Sequence, residues 1–170
     1  RDAATGADWQ DVDAGGKLLF PGIIDLLQHG MDVYLYNDTL PGCVSDNSTL
    51  LLSRGVTGFL PSISCLPPEN MEPTLTRLAA EIEKATGARA LGIHSEGPVF
   101  ASPGAHNPRN LQKPSVELAE RMLAASNGRL KAVTLAPELP GAEAFIKRLK
   151  ADGVSIHLGH SQAVPDDVAR

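Results

Sequence analysis

Short apolar runs alternate along this chain with segments whose apolar residues recur at helical spacing. The apolar runs predict five strands, at residues 18–27, 57–64, 90–96, 130–136 and 154–159. The segments between them predict four helices, at residues 48–54, at 69–86, after Ser115 and at 141–151. A strand followed by a helix, repeated roughly every 25 to 40 residues, is typical of successive βα units, which place their strands side by side in a parallel sheet.

Two details support the helix assignments. Ser115 is suited to begin the third helix, because a serine hydroxyl can accept a hydrogen bond from a free N–H group of the first turn. In the second helix, apolar residues recur at i, i+3, i+4 and i+7 and so share one face: Leu75, Leu78, Ala79 and Ile82.

We expect these units to form a barrel rather than an open sheet. Polar residues, often His or Glu, follow the predicted strands, and in a (β/α)8 TIM barrel every such strand end faces one mouth. An open, doubly wound sheet is the alternative. A full barrel takes about 250 residues, so the chain of 170 residues predicts an incomplete α/β barrel of about five βα units. Its two edge strands would be exposed, which is a physical liability.

The pattern divides the chain into two parts. We interpret residues 1–16 as the remnant of a small flanking β-domain, and residues 17–170 as the partial barrel. The sequence starts at Arg1 rather than Met, and residues 165–170 resemble the opening of a helix. We therefore expect the N-terminal portion of a longer protein.

The composition excludes several classes of partner. Fifteen Lys and Arg against 20 Asp and Glu give a net charge of −5 with no basic block, so neither nucleic acid nor an anionic membrane surface is expected to bind. The sequence has no apolar run that could span a membrane and no secretory signal at its N-terminus, which predicts a cytoplasmic protein. Cys43 and Cys65 form no CxxC pair, and we interpret them as buried free thiols.

The candidate chemistry lies at the predicted mouth of the barrel. Imidazole and carboxylate groups together suit zinc, which takes three protein ligands and a water when it is catalytic. Residues that end the first, third and fifth strands can share one layer of a barrel. These residues are His29, Glu96 and His160. The sequence therefore predicts a divalent metal site, with zinc as the favoured ion, at Glu96, His160 and His29.

Each of these residues also has a structural interpretation. His160 follows Gly159 and could be a hydrogen-bonded core histidine, while His29 stands before Gly30 and could belong to a turn. A plain surface position suits Glu96 less well, because an unpaired carboxylate directly after a buried run would be costly.

Two other histidines and a long loop complete the candidates. His94 shares a strand face with Glu96 by the two-residue period, which predicts that it orients Glu96. His157 lies three residues before His160, and regular pleating would put the two on opposite faces, so we interpret His157 as a packing residue. The polar loop at residues 97–113 is long enough to predict a functional role, with His106 and nearby N–H groups suited to hydroxyls or an anion.

Six motifs stand in order along the chain. They are Phe20-Pro21-Gly22-Ile23-Ile24-Asp25, Gly55-Val56-Thr57 with Leu60-Pro61-Ser62, Leu91-Gly92-Ile93-His94-Ser95-Glu96-Gly97-Pro98, Gly104-Ala105-His106-Asn107-Pro108, Val133-Thr134-Leu135-Ala136-Pro137-Glu138 and Leu158-Gly159-His160-Ser161. Together they resemble the N-acetylglucosamine-6-phosphate deacetylases of the amidohydrolase superfamily.

The resemblance implies a metal-dependent amidase that removes acetate from N-acetylglucosamine 6-phosphate and gives glucosamine 6-phosphate. By the family's pattern, Glu96 and His160 match two metal ligands, and Ala105 and His106 match a backbone and a side-chain contact to the substrate. The partner implied is a small amino-sugar phosphate, and the full-length form is expected to be a homodimer.

The chain departs from the family's pattern in three ways. The first-strand His-x-His appears as Leu27-Gln28-His29, although some members also lack that pair and work with one metal. The segment from Glu96 to Gly104 is a few residues shorter than in members with a basic stretch there. The family's Thr-His-x-x-Asn-Ala motif, its general acid/base Asp and its phosphate-binding Arg do not occur in these residues. We therefore assign no catalytic acid or base here, expect the Asp beyond Arg170, and expect negligible turnover from this chain alone.

Two alternatives to the deacetylase are kept. The chain could be a catalytically inactive barrel fragment that acts as a binding or assembly module. It could also derive from a cyclic amidase of the same superfamily, but those enzymes usually need an intact His-x-His, and Leu27 disfavours them.

Overall fold

The computed structural model describes residues 11–32, 34–38 and 41–168. Its helices and strands follow one another in this order: β1 (Ile23–Gln28), β2 (Gly30–Met31), β3 (Tyr34–Leu35), α1 (Cys43–Ser53), β4 (Val56–Ile63), α2 (Pro68–Glu81), β5 (Arg89–Ala90), β6 (Ile93–Glu96), α3 (Val116–Ser126), β7 (Leu130–Leu135), α4 (Ala142–Ala151), β8 (Ser155–Leu158) and α5 (Pro165–Val168). Two short 3-10 helices cover Ile82–Lys84 and Pro108–Asn110.

The main sheet is parallel and follows the chain order. Strands pair in the sequence β1-β4-β6-β7-β8, and β5 adds a short second pairing along β4. In a doubly wound sheet the strand order reverses at a switch point, whereas here each strand lies beside its predecessor and its successor. The sheet curls into a parallel half-barrel, which is the arrangement expected of an incomplete TIM barrel.

The helices cover one face of this sheet, and the core lies between the helices and the strands. α2 packs against α3, and α3 packs against α4. The Ser115 hydroxyl accepts a hydrogen bond from the Leu118 N–H at 3.0 Å and begins α3, as the sequence predicts. The largest fully buried apolar side chains include Phe59, Ile63, Leu75, Leu78, Ile93, Met122, Leu135, Phe145 and Leu149. Burying each such side chain stabilises the fold by roughly 1.5–3 kcal/mol. The packed helices therefore fix the positions of the strands that carry the site.

Two predicted strands and two predicted helices differ clearly from the observed ones. The first strand begins at Ile23 rather than at residue 18, and the third is divided into β5 and β6 by residues 91–92. A further difference is in the second helix, which is predicted to reach residue 86 but ends as an α-helix at Glu81 and continues as the 3-10 helix Ile82–Lys84. α1 begins at Cys43, five residues before the predicted start. The apolar pattern misses this first part of the helix, because two of the residues buried there, Asn47 and Ser48, are polar. Asn47 accepts a hydrogen bond from the Met31 N–H and donates to the carbonyl of Tyr34, so its burial costs no hydrogen bond.

The predicted flanking β segment covers residues 1–16, and its residues 1–10 lie outside the described residues. Residues 11–16 form a turn at 15–16 and no strand.

Cys43 and Cys65 are free and buried, which confirms the interpretation of both as buried thiols. None of the helices in the described ranges is long and apolar enough to cross a membrane.

The two outer strands of the half-barrel each have one open edge. Within the described residues, β1 pairs only with β4, and β8 pairs only with β7. Large apolar side chains on these strands are about half exposed: Ile23, Ile24, Leu26, Leu27 and Leu158. This is the exposure expected of a barrel that is not closed.

Candidate metal centre

The candidate site is built around Glu96, the last residue of β6. His29 directly follows β1, and His160 lies two residues after β8. His106 comes from the long loop between β6 and α3. Because the C-terminal ends of parallel strands meet at one side of a barrel, three imidazoles reach the same carboxylate.

The two carboxylate oxygens of Glu96 contact different rings. Its Oε2 lies 3.1 Å from the Nε2 of His29 and 3.5 Å from the Nε2 of His106, and its Oε1 lies 3.5 Å from the Nε2 of His160. The ligand atoms of Glu96, His106 and His160 all lie within 4.8 Å of one another, a spacing that could hold a metal ion. Among the residues the structure describes, this is the group found at that spacing, and His29 is not part of it.

His160 is held in a fixed orientation by the loop that carries His106. Its Nδ1 lies 3.1 Å from the carbonyl oxygen of Ser102, and its own carbonyl accepts hydrogen bonds from the N–H groups of Ala101 and Ser102 at 3.0 and 2.9 Å. With Nδ1–H donating to Ser102, the lone pair of Nε2 points towards Glu96. This pairing of a backbone carbonyl with the far ring nitrogen is usual for metal-binding histidines.

Phe100 and Gly104 shape the contact between the loop and His160. The Phe100 ring stacks on His160 with centroids 4.2 Å apart and lies 5.2 Å from the ring of His106. Gly104 has a φ of +56°, and a Cβ there would come within 2.8 Å of the His160 ring. The turn therefore suits glycine both for its backbone conformation and for its closeness to the imidazole.

His29 is bonded through both of its ring nitrogens. Its Nδ1 lies 3.0 Å from the carbonyl oxygen of Ser62, and its Nε2 faces Glu96. The hydrogen bond with Glu96 raises the pKa of His29 above its usual value, and it lowers the pKa of Glu96 below the usual range of a carboxyl group. Burial lowers the pKa of His106.

His94 does not contact Glu96, so its predicted role as the residue that orients Glu96 is wrong as a direct contact. Its Nδ1 lies 3.0 Å from the Ser62 hydroxyl, and its Nε2 lies 2.8 Å from the hydroxyl of Thr134. The ring is fully buried, and burial lowers its pKa to about 4. A neutral His94 thus joins β4 to β7 across β6.

His157 and His160 are not related by regular strand pleating. Pleating ends with β8 at Leu158, and His160 has a φ of +52°, so the alternation of strand faces does not extend to His160. The His157 ring lies 5.3 Å from that of His94. His157 is a packing residue, as interpreted, but it packs within the barrel against His94.

The structure therefore brings together most of the residues that the sequence selects. Glu96, His160, His29 and His106 converge, and the N–H group of Ala105 stands in the exposed turn beside them with no hydrogen bond within the described residues. Sequence reasoning missed Phe100 and Ser102. The apolar run Val99-Phe100 inside a polar loop was the available signal, since both residues are buried.

Comparisons with known proteins find amino-sugar-phosphate deacetylases. No protein-family model matches the chain. The human N-acetylglucosamine-6-phosphate deacetylase is 32% identical over 158 residues, which cover 89% of this chain and 39% of that protein. The N-acetylgalactosamine-6-phosphate deacetylase of Escherichia coli O157:H7 is 32% identical over 155 residues, which cover 89% of this chain and 41% of that protein.

Solved structures give the same result. The N-acetylglucosamine-6-phosphate deacetylase of Mycobacterium smegmatis superposes with a TM-score of 0.79 at 29% identity, over 86% of this chain and 39% of that chain. A mutant of that enzyme was solved in complex with N-acetylglucosamine 6-phosphate. The deacetylase of Pasteurella multocida, at 24% identity and a TM-score of 0.79, supports the fold.

The chain spans about two fifths of the length of these relatives. Over that part, its homologues and structural neighbours are N-acetylglucosamine-6-phosphate deacetylases and, in one case, an N-acetylgalactosamine-6-phosphate deacetylase, all hydrolases that act on an amide, and the family resemblance of its motifs is confirmed.

Proposed function

We propose that this chain carries the metal-binding part of the active site of an N-acetylglucosamine-6-phosphate deacetylase. The observation that supports the proposal is the convergence of Glu96, His160 and His106 at the mouth of a parallel half-barrel, in a chain whose homologues are such deacetylases. The reaction is hydrolysis of the N-acetyl amide, which gives glucosamine 6-phosphate and acetate. A cytoplasmic setting and a homodimeric full-length form belong to the same proposal.

The donor set at this mouth fits a divalent ion, with zinc favoured. Glu96 offers a carboxylate oxygen and His160 an Nε2 whose orientation is fixed by Ser102, and carboxylate with imidazole is a usual zinc environment. Leu27, at the first position of His-x-His, has no donor atom for a second ion. His29, the third ligand that the sequence predicts, could reach an ion only by giving up its 3.1 Å contact with Glu96. When bound, such an ion would polarise the amide carbonyl and acidify a water.

The other residues of the site have roles towards the substrate. We assign to the N–H group of Ala105 and the ring of His106 the contact with a sugar hydroxyl or an anionic group that the family's pattern implies. Phe100 is buried behind the two imidazoles, so it shields that side of the site from water. Proton transfer to the departing amine needs an acid, and the family's Asp motif does not occur in these residues. We therefore expect this chain alone to bind metal and to turn over negligibly.

The test is a deacetylation assay with N-acetylglucosamine 6-phosphate and added Zn²⁺. It compares this chain with a longer chain that also carries the Thr-His and Asp motifs. Activity in the longer chain that is lost in its Glu96→Gln variant supports the proposal. A longer chain that binds Zn²⁺ without releasing acetate contradicts it. That outcome would favour an inactive barrel that serves as a binding or assembly module, the alternative suggested by the exposed apolar residues of β1.

A further inference from the structure

We propose that Glu138 is the positioning residue of His160 at this site. It acts through the two residues that follow His160, and it holds the turn after β8 in the conformation in which the His160 ring faces Glu96. Glu138 lies three residues after β7, the strand that pairs with β8. This inference rests on the proposed metal site and adds to it a residue that binds neither the ion nor the substrate.

The backbone of His160 is held in an unfavourable conformation. Its φ of +52° lies in the left-handed region, where a Cβ crowds the following carbonyl oxygen. Residues other than glycine keep such a conformation only where their surroundings enforce it, and they cluster at functional sites. On the N-terminal side, the Gly159 N–H donates to the carbonyl of Leu135 at 3.1 Å, so β7 holds the chain up to this point. The conformation of His160 therefore needs a second support on its C-terminal side.

Glu138 provides that support with both of its carboxylate oxygens. Its Oε2 accepts a hydrogen bond from the Ser161 hydroxyl at 2.8 Å, and its Oε1 accepts one from the Gln162 N–H. The Ser161 hydroxyl also accepts a hydrogen bond from the Ala163 N–H at 2.9 Å, and its single proton is donated to Glu138. A carboxylate only accepts and so matches both donors, whereas an amide at this position would turn an N–H group towards one of them. Position 138 thus requires a carboxylate rather than any polar side chain.

The peptide group that follows His160 connects this support to the long loop. The carbonyl of His160 and the N–H of Ser161 belong to one planar unit. That carbonyl accepts hydrogen bonds from the N–H groups of Ala101 and Ser102, and the Ser102 carbonyl faces the Nδ1 of the His160 ring. If the turn is released from Glu138, this peptide group can rotate, which would break the bonds to the loop and free the ring. Glu138 and the long loop therefore fix His160 together.

Amide hydrogen exchange on the whole chain, measured by NMR without metal, is the first test. The control variant is Glu120→Ala, which removes a carboxylate that also accepts two hydrogen bonds, both from Arg148. In Glu138→Ala, the N–H groups of Ala101 and Ser102 should exchange about 3- to 10-fold faster, the factor that one hydrogen bond is worth. We expect no change in the control. Unchanged exchange at both groups in Glu138→Ala would overturn the proposal. Glu138→Gln, which keeps the size of the side chain and one of its hydrogen bonds, should have an intermediate effect and decides the outcome if the alanine variant does not fold.

Zinc affinity, measured by isothermal titration, separates positioning from general stability. Loss of a group that orients a ligand costs about 10- to 100-fold in metal affinity, so we expect about 10-fold weaker binding in Glu138→Ala and no change in Glu120→Ala. Gly128→Ala is the control for stability, because its φ of +74° disfavours alanine and it lies before β7, at the other end of that strand from Glu138. Its zinc affinity should stay the same although its stability falls.

Equal zinc affinity in Glu138→Ala and in both controls would also overturn the proposal. A chain that binds no Zn²⁺ in any form would contradict the proposed metal site, while hydrogen exchange, which needs no metal, decides separately whether Glu138 holds His160. Neither readout depends on deacetylation, so a chain with the expected exchange and zinc affinity, whose longer form releases no acetate, would contradict the proposed function alone.

Discussion

Glu96 is the residue on which the other groups of the site depend. Its two carboxylate oxygens face the rings of His29, His106 and His160, and its side chain is only 14% exposed. A buried carboxylate that contacts three imidazoles is electrostatically costly without a cation, either protons on the rings or a metal ion. A change at Glu96 should therefore affect the site more than a change at any one histidine.

Replacing Glu96 by Gln tests this dependence. The amide keeps the size of the side chain but removes its charge, so we expect stoichiometric zinc to be lost after dialysis, as measured by elemental analysis. The matched control is Glu117→Gln, since Glu117 is an exposed carboxylate on α3 outside the site. Zinc content that is the same in the Glu96 variant and the control would contradict the role of Glu96.

Gly104 is a second residue whose replacement has two separable effects. A Cβ at this position meets the ring of His160, and the positive φ adds strain. Gly128 has a φ of +74° but open space around it. We expect Gly104→Ala and Gly128→Ala each to lower the free energy of unfolding by about 1–2 kcal/mol. Only Gly104→Ala should also weaken zinc binding, measured by titration, because it alone displaces His160. Equal zinc affinities in the two variants would count against the packing of Gly104 on His160.

Among the secondary-structure elements, α1 depends on polar burial. Asn47 is fully buried and joins this helix to Met31 and to Tyr34. Asn47→Ala would leave these backbone groups without partners, and we expect a loss of about 3 kcal/mol in the free energy of unfolding. Thr49→Ala, on the exposed side of the same helix, should change it by less than about 0.5 kcal/mol. Urea denaturation of both variants measures the difference, and similar midpoints would contradict the role of Asn47.

The same helix shows where sequence patterns stop being informative. Hydrophobic spacing identified α2, α3 and α4 because their buried faces are apolar, as at Leu75, Met122 and Phe145. It missed the start of α1, where the buried residues include Asn47 and Ser48. Their burial depends on hydrogen bonds to distant parts of the chain, among them the bond from the Gly87 N–H to the Ser48 hydroxyl at 3.1 Å, and no local pattern contains that information.

The candidate site, like the helices, was predictable from the sequence only in part. Parallel strands bring their C-terminal ends to one mouth, so the convergence of His29, Glu96 and His160 followed from the order of the elements. The position of His106 did not, because it depends on how the loop folds onto His160 and Phe100. The side-chain direction of His160 also could not be predicted from the pleating of β8, because the backbone at His160 has a positive φ and is no longer in the strand conformation.

At the scale of the whole molecule, the half-barrel combines an ordered interior with open edges. The described residues include five sequential parallel strands, and the chain matches about two fifths of the length of its relatives. A closed barrel has no strand edge, whereas an open parallel sheet presents unpaired N–H and C=O groups at both sides. On β1 these groups lie beside apolar side chains that are 49–60% exposed.

We expect this edge to make the chain associate with itself. Ile24, on β1, is 60% exposed, and a lysine there should oppose edge-to-edge pairing through its charge. Sedimentation velocity over a range of concentrations should show larger species for the unmodified chain and fewer of them for Ile24→Lys. Leu52→Lys is the control, because Leu52 is similarly exposed, at 48%, but lies on α1 away from an edge. Association that is equal in both variants would place the contact elsewhere, and a monomer at every concentration would show that the open edge is tolerated. Fold stability should be nearly unchanged in both variants, since both side chains are largely exposed, so a difference in association can be assigned to the β1 edge itself.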